Sequence, residues 1–105
     1  MTGGAGVDTF TINNTNNNVS TILDLEGTDA FVIAGTTNAG SAHVITVTGN
    51  YVSSAATSNG MTAANALVGT AGFDVNLALA SGSGGYTVTN TGVAATLLVL
   101  SNLIS

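Results

Sequence analysis

The 105-residue chain contains no lysine, arginine, cysteine or proline, and these absences exclude several classes of protein. Nucleic-acid binding depends on lysine and arginine to neutralise phosphates, so we expect no nucleic-acid partner. Without cysteine there is no disulfide framework, no thiolate zinc site and no thiol nucleophile. The most apolar stretch, residues 93–100, is far shorter than the ~20 residues of a membrane span, so we expect no membrane insertion.

Charged residues of both signs are scarce. Five acidic residues and no basic ones give a net charge of −5, and charged residues make up 5% of the chain, against about 25% in an ordinary soluble domain. Apolar residues make up 45%, which separates the chain from charge-rich disordered segments. Length and composition together predict a single domain, residues 1–105.

The segments between the Gly, Asn and Ser clusters are short and rich in Thr, Val and Ile, which is the composition of β-strands. Residues 61–68 are an exception, because their pattern fits either a short helix or another strand. We therefore predict an all-β fold, for which a β-sandwich and a β-solenoid are both open. The predicted strands are residues 9–12, 19–25, 30–34, 42–48, 50–53, 75–79, 86–89 and 95–100.

An internal repeat favours the solenoid. The pattern Gly-x-Asp followed by a short β segment begins at Gly6, Gly27 and Gly72. The first two copies are 21 residues apart, close to one coil of many β-solenoids, and the third follows after about two such steps. The sequence therefore predicts a β-roll-like stack of short strands, with a degenerate coil between the second and third copies.

A glycine-rich motif opens the chain. Residues 3–11 fit the nonapeptide G-G-x-G-x-D-x-U-x at every fixed position, with Phe10 as the bulky residue. Glycine allows turns that bring backbone carbonyls close to an ion, and aspartate adds a carboxylate. The segment resembles the RTX, or haemolysin-type, calcium-binding repeat. Residues 20–29 resemble the continuation of such repeats in large bacterial surface proteins, and residues 54–60 and 82–89 are similar to the Thr/Ser/Gly-rich modules beside them.

Only the first copy of the motif is complete. RTX sites take ligands from two consecutive turns, and here Asp24 and Leu25 replace the first two glycines of the second copy. The resemblance therefore implies one or two calcium sites rather than a continuous row. It also divides the domain into RTX-like calcium-binding turns in residues 1–34 and a Thr/Ser/Gly-rich β region in residues 35–105.

The distribution of acidic residues points to the same N-terminal segment. Asp24, Glu26 and Asp29 lie within six residues, and Asp8 occupies the matching position one repeat earlier. Clustered carboxylates without a basic residue repel one another, and calcium, which prefers oxygen ligands, would relieve that repulsion. A solvated acidic turn that needs no ion is the alternative. The predicted calcium ligands are the side chains of Asp8, Asp24 and Asp29, with Glu26 as a further candidate and Gly4 and Gly6 contributing backbone oxygens.

The sequence shows no catalytic constellation. His43 is the only histidine and lies in an alternating strand, on the face opposite Val44 and Thr46. Nothing in the sequence resembles a nucleophile elbow that such a histidine could serve. We therefore expect that the protein is not an enzyme, and the role of His43 stays open between a strand residue and an interface contact.

Thr-x-Thr pairs recur in three predicted strands, at residues 9 and 11, 46 and 48, and 87 and 89. On a flat solenoid face such pairs resemble the ice-binding surfaces of some β-helical antifreeze proteins. The alternative is that threonine is simply a favoured outward residue of a strand. A module that binds ice or a glycan through a Thr-rich face is therefore one alternative function.

The predicted strand edges lack the residues that usually prevent edge-to-edge pairing between molecules. Natural β proteins blunt exposed edges with lysine or proline, and this chain has neither. Open solenoid ends invite head-to-tail contact between copies, which builds a filament. We therefore expect a homopolymer: a secreted bacterial structural protein that forms a calcium-dependent extracellular filament, surface layer or biofilm-matrix fibre. A single module of a large RTX-type adhesin, in contact with cell-surface glycans, is the runner-up.

The two ends of the chain bear on export. Residues 94–105 resemble the uncleaved C-terminal secretion signals of type I substrates, although a buried final strand explains them equally well. Residues 1–6 lack the basic and apolar regions of an N-terminal signal peptide. We therefore expect an extracellular or cell-surface location in a bacterium.

Overall fold

The structure is a computed structural model that describes residues 1–14, 19–35 and 42–98. All strand pairings among these residues are parallel, and the strands stack as a β-solenoid of about three turns. The predicted all-β solenoid is confirmed, and the sandwich alternative is not observed. The described strands are β1 (Thr9–Asn13), β2 (Thr21–Gly27), β3 (Ala30–Ala34), β4 (Ala42–Val52), β5 (Ser58–Asn59), β6 (Asn65–Thr70), β7 (Val75–Asn76), β8 (Gly85–Asn90) and β9 (Leu97–Leu98).

Each turn of the solenoid, here called a coil, contributes strands to three faces. The first face is the sheet β1-β3-β5, and the second is formed by β2, β4, β6 and β8. On the third face, the end of β4 pairs with β7, which in turn pairs with β9. β2 and β4 pair through register shifts between Ile22 and Gly27, and such irregularities bend strands. The two long strands thereby run from the second face into the third.

The core is a set of apolar ladders inside the coils. Because strand side chains alternate between the two sides of a sheet, a parallel in-register stack places residues of successive coils directly above one another. Phe10 pairs in register with Phe31, and all but a few per cent of both side chains is buried. The longest ladder runs through the second face, from Ile22 through Ile45 and Val68 to Val88. The ladders explain why Val, Ile and aromatic residues recur at coil spacing.

Most predicted strands are found, with differences in length. Residues 30–34 form β3 as predicted, and residues 42–48 and 50–53 join into the single strand β4, which continues through Gly49. Of the open stretch, residues 61–68, the second half is strand and begins β6, whereas residues 61–64 form a turn and no helix. β5 was not predicted, because its two residues lie in a Ser/Thr/Gly-rich stretch without an apolar pattern. Part of the last predicted strand, residues 99 and 100, lies outside the described residues.

The third copy of the Gly-x-Asp repeat is not equivalent to the first two. The copies at Gly6 and Gly27 precede β1 and β3, which pair in register 21 residues apart on the first face. The copy at Gly72 instead precedes β7, which lies on the third face. The prediction of three equivalent copies is therefore wrong for the third, because turns of this composition serve more than one corner of the coil.

Strand pairing continues across the boundary drawn at residue 34, since β2 pairs with β4 and β3 pairs with β5. The described residues form no helix that is long and apolar enough to cross a membrane.

Candidate functional site

The corner before the first face stacks Asp8 and Asp29 one coil apart. Thr9 pairs with Ala30, so the two aspartates occupy the same position in successive coils. Asp29 is fully buried, and its Oδ1 accepts a hydrogen bond from the backbone N–H of Asp8 at 2.9 Å. Its Oδ2 accepts a second bond from the backbone N–H of Glu26 at 3.2 Å. Asp29 therefore joins two coils by satisfying backbone donors at a turn.

Asp24 accepts hydrogen bonds from the glycines of the N-terminal motif. The backbone N–H groups of Gly3 and Gly4 donate to its Oδ1 and Oδ2 respectively, each at 2.9 Å. These bonds, Gly4 first, hold the pKa of the Asp24 carboxyl below its usual value, because they stabilise the ionised form. In this corner the negative charge is balanced by backbone dipoles.

Asp8 differs from the other two aspartates. Its Oδ2 is buried and has no hydrogen-bond partner, a condition shared among the described side chains only by Oδ1 of Asn65. A Cβ atom at Gly3 would lie 2.2 Å from that oxygen, so the first motif glycine leaves room for the carboxylate. A buried carboxylate oxygen without a donor is costly. This atom is the one feature of the predicted ligands that fits a cation.

The remaining predicted ligands are Glu26, Gly4 and Gly6. Glu26 is exposed, and its carboxylate lies against Gly49, where an added Cβ would be 3.1 Å from Oε2. Gly4 and Gly6 adopt left-handed backbone with φ of 86° and 97°, as the turn interpretation of the motif requires. The part of the chain that the structure describes holds no cluster of three or more acidic or histidine side chains able to bind a metal ion. The predicted ligands and calcium binding therefore stay predictions.

In a second corner of the solenoid, side-chain oxygens again accept hydrogen bonds from backbone N–H groups, but the acidic residues there are not clustered. The backbone N–H of Asp74 donates to Oδ1 of Asn50 at 3.0 Å, and the N–H of Thr96 donates to Oδ1 of Asp74 at 2.8 Å. Asparagine and aspartate are interchangeable here because both offer a side-chain oxygen. Sequence reasoning missed this ladder, whose signal was an Asx residue recurring about one coil apart.

His43 lies in the core and has a defined tautomer. The backbone N–H of Ser20 donates to its Nδ1 at 3.1 Å, so the proton is on Nε2, which donates to Oδ1 of Asn14 at 2.9 Å. Val44 and Thr46, which follow it in β4, are exposed. This confirms the prediction that His43 lies on the opposite face of the strand from these two residues. Burial lowers the pKa of His43, so the ring is held neutral.

The Thr-x-Thr pairs do not form one array. Thr9 and Thr11 lie on the first face, whereas the other two pairs lie on the second. On that face Thr46 and Thr89 align with Gly69 between them, so each threonine is two strands from the other. The missing side chain at Gly69 opens a groove of about 260 Å³, lined by Thr46, Val47, Gly69, Thr70, Ala71, Thr89 and Thr91.

The two ends of the solenoid differ in charge and in pairing. At the N-terminal end, the ammonium group of Met1 donates to the carbonyl of Thr21 at 2.5 Å, and the N–H of Leu23 donates to the carbonyl of Met1 at 2.9 Å. Four of the five acidic residues lie in the first coil and at the start of the second, and none follows Asp74. Among the described residues β1 and β8 are edge strands, each paired on one side.

Comparison of the chain with protein-family models, with curated proteins and with solved structures gives no match.

Proposed function

We propose that the protein is a secreted structural protein that assembles with copies of itself into an extracellular filament, such as a surface-layer or biofilm-matrix fibre. The observation that carries the proposal is that two strands at opposite ends of the solenoid have unpaired outer edges. β1 presents one edge and β8 the other, and no described strand pairs with the outer side of either. The chain offers no lysine or proline to blunt either edge.

An open parallel edge presents unpaired backbone N–H and C=O groups together with the end of each apolar ladder. Adding a further coil satisfies those groups and buries the ladder end, so a second copy is a suitable partner. Contact between two different ends is heterologous, and heterologous contacts grow into filaments when the rotation between copies does not close a ring. The low charge of the faces leaves little repulsion between copies.

Calcium and export are separate parts of the proposal. Calcium would act in the N-terminal turns, and the support for it is the RTX-like motif together with the buried, unpartnered Oδ2 of Asp8. An extracellular location is supported by the resemblance of residues 94–105 to type I secretion signals, of which residues 99–105 lie outside the described residues. A module within a larger RTX-type adhesin would share these features, and its open edges would then pair with neighbouring modules of the same protein.

The test is electron microscopy and sedimentation of the purified chain over a wide concentration range, with calcium and with a chelator. We expect unbranched filaments whose fibre diffraction has a meridional reflection at about 4.8 Å, the spacing of strands stacked along the axis. Isolated 10.2 kDa particles at every concentration, with and without calcium, would contradict the proposal.

The groove over Gly69 supports a second candidate, binding of a glycan. It is open to solvent and offers the hydroxyl groups of Thr46, Thr89 and Thr91 beside apolar surface, a combination that suits sugar rings. A glycan array separates this candidate from the first: saturable binding that is lost in Gly69→Val, with no filaments, would favour it. The broken threonine rows make regular ice binding a weaker form of the same idea, tested by thermal hysteresis.

A further inference from the structure

We propose that the filament grows head to tail in one defined register, in which β8 of one copy pairs in parallel with residues 1–3 of the next. In this register Met1 continues the apolar ladder that ends at Val88, and Thr2 lies beside Thr89. The inference rests on the proposed function and adds to it the partner surface, the polarity of growth and the residue pairs at the junction.

The pairing of β8 with β6 determines which backbone N–H and C=O groups of β8 face the open edge. The N–H of Thr91 donates to the carbonyl of Thr70 in β6 at 2.9 Å. Because successive residues of a strand direct their N–H and C=O groups to opposite sides, Thr89 also faces β6, whereas Val88 and Asn90 face the open edge. Those two residues supply the donors and acceptors that a further strand would meet.

The N-terminal segment presents the matching groups. Met1 exchanges hydrogen bonds with Thr21 and Leu23 in β2, and the N–H of Gly3 is directed to the side chain of Asp24 on the same side. Thr2 between them therefore directs its N–H and C=O away from β2, towards the outside of the solenoid end. A parallel neighbour would receive the Thr2 N–H on the carbonyl of Val88 and donate the N–H of Asn90 to the carbonyl of Thr2.

The directions of the side chains, inward or outward, agree with the same register. The bonds of Met1 to the residues on either side of Ile22 align Met1 with Ile22, the first member of the ladder Ile22–Ile45–Val68–Val88. Met1 is 45% exposed, and Val88 is only partly buried, so both ends of the ladder are incompletely covered. Joining Val88 to Met1 covers both, and it leaves Thr2 and Thr89, which are both exposed, on the outer surface.

Charge favours this polarity over a head-to-head contact. Asp8, Asp24, Glu26 and Asp29 all belong to the N-terminal end, and the strands of the C-terminal end carry no charged side chain. Two N-terminal ends placed together would face eight carboxylates across one junction without a basic side chain to offset them. In the head-to-tail junction the acidic end meets an uncharged one.

Cysteine pairs test the register, because the chain has no cysteine of its own. Parallel strands lie about 4.8 Å apart, within the Cα separation that a disulfide spans. The double variant Thr2→Cys/Thr89→Cys should therefore give a ladder of disulfide-linked multimers after mild oxidation. Thr2→Cys/Thr46→Cys is the matched control, since Thr46 lies on the same face in an interior strand; it should give at least tenfold fewer multimers.

The outcomes separate this inference from the function on which it rests. Filaments whose Thr2→Cys/Thr89→Cys subunits stay unlinked, or link no better than the control, overturn the register and leave the proposed function standing. Dimers linked through Thr89→Cys alone would show a tail-to-tail contact and overturn the polarity. Absence of filaments from the unsubstituted chain overturns the proposed function itself.

A second pair of variants tests the ladder without cysteine. Val88→Lys places an ammonium group at the open edge, where inward-pointing charge prevents edge pairing. Val44→Lys makes the same change at an exposed position in the interior strand β4. We expect Val88→Lys to fold and remain monomeric, while Val44→Lys still forms filaments. Filaments of unchanged length from Val88→Lys would overturn the junction.

Discussion

His43 and Asn14, which are 29 residues apart in the chain, meet in the core through a hydrogen bond of 2.9 Å from Nε2 to Oδ1. The bond joins the residue after β1 to the start of β4 and satisfies two polar side chains that are both fully buried. It requires a neutral imidazole, because Nδ1 is already an acceptor for the N–H of Ser20. The only histidine of the chain is thus a structural residue of a corner.

The stability of the protein should fall when the pH drops below about 6.5, the pKa of an unperturbed histidine. Burial lowers the pKa of His43 in the folded state, so the unfolded chain binds more protons between the two values. The contribution of the neutral ring is fully present above pH 6.5 and is lost on acidification, by up to about 1.4 kcal/mol per pH unit in that window. Thermal unfolding between pH 7.5 and 5 measures it. His43→Gln, with no titrating ring, should have a lower Tm that changes little over this range; an equally steep slope would contradict the assignment.

Removing the carboxylate of Asp29 should destabilise the fold strongly. Asp29→Ala leaves the N–H groups of Asp8 and Glu26 without an acceptor in a buried corner, at a cost of about 3 kcal/mol. Urea unfolding measures the change. Glu26→Ala is the matched control: it removes the same charge from an exposed side chain one turn away and should cost no more than about 0.5 kcal/mol. Equal losses would show that charge, and not backbone satisfaction, is the role of Asp29.

Calcium should raise the Tm of the chain if the N-terminal turns bind it, because a ligand that binds only the folded state stabilises that state. The rise should disappear in Asp8→Asn, which removes the charge at the buried, unpartnered oxygen. Asp74→Asn is the control, since Asp74 lies in another corner and asparagine can still accept the N–H of Thr96. Identical melting curves in calcium and in chelator would remove calcium from the proposal and leave the acids as backbone acceptors.

Gly82 should tolerate no side chain. Its φ is 97°, and a Cβ atom there would lie 2.1 Å from the backbone oxygen of Asn59 in the neighbouring coil. Gly82→Ala therefore combines left-handed strain with a clash against backbone, and we expect a loss of more than about 2 kcal/mol. Gly60→Ala provides the comparison, because its nearest contact would be 3.7 Å and the expected change is within about 1 kcal/mol. Similar stabilities of the two variants would contradict the close approach of the coils at Gly82.

The irregular length of the coils explains which parts of the fold could be predicted. Thr9 pairs with Ala30 after 21 residues, Val32 with Ser58 after 26, and Asn65 with Gly85 after 20. A repeat search detects the first interval because both segments carry the same motif. The same search assigns the copy at Gly72 to the wrong face. When coils differ in length, the number of residues between two motifs does not show how many coils separate them.

The roles of the acidic residues show the same limit. The sequence placed Asp8 and Asp29 one repeat apart, and the structure stacks them. The carboxylates of Asp24, Asp29 and Asp74 each accept a backbone N–H from an adjacent coil, as in the bond from Gly4 to Asp24. Backbone donors are present at almost every residue and leave no pattern in the sequence, so the clustered acids predict an ion site but not these hydrogen bonds, and calcium binding stays a prediction.

Composition and local patterns were enough to predict the all-β class, the approximate coil length, the alternation that builds the ladders and the absence of basic residues at the strand edges. These follow from local patterns and from composition, which need no knowledge of distant contacts. The folded structure was needed to show that His43 meets Asn14, that Asp24 and Asp29 accept backbone N–H groups, and that Val88 and Met1 lie at opposite ends of one ladder. Each of those relationships depends on the register between coils, which is set by packing and by turns of unequal length.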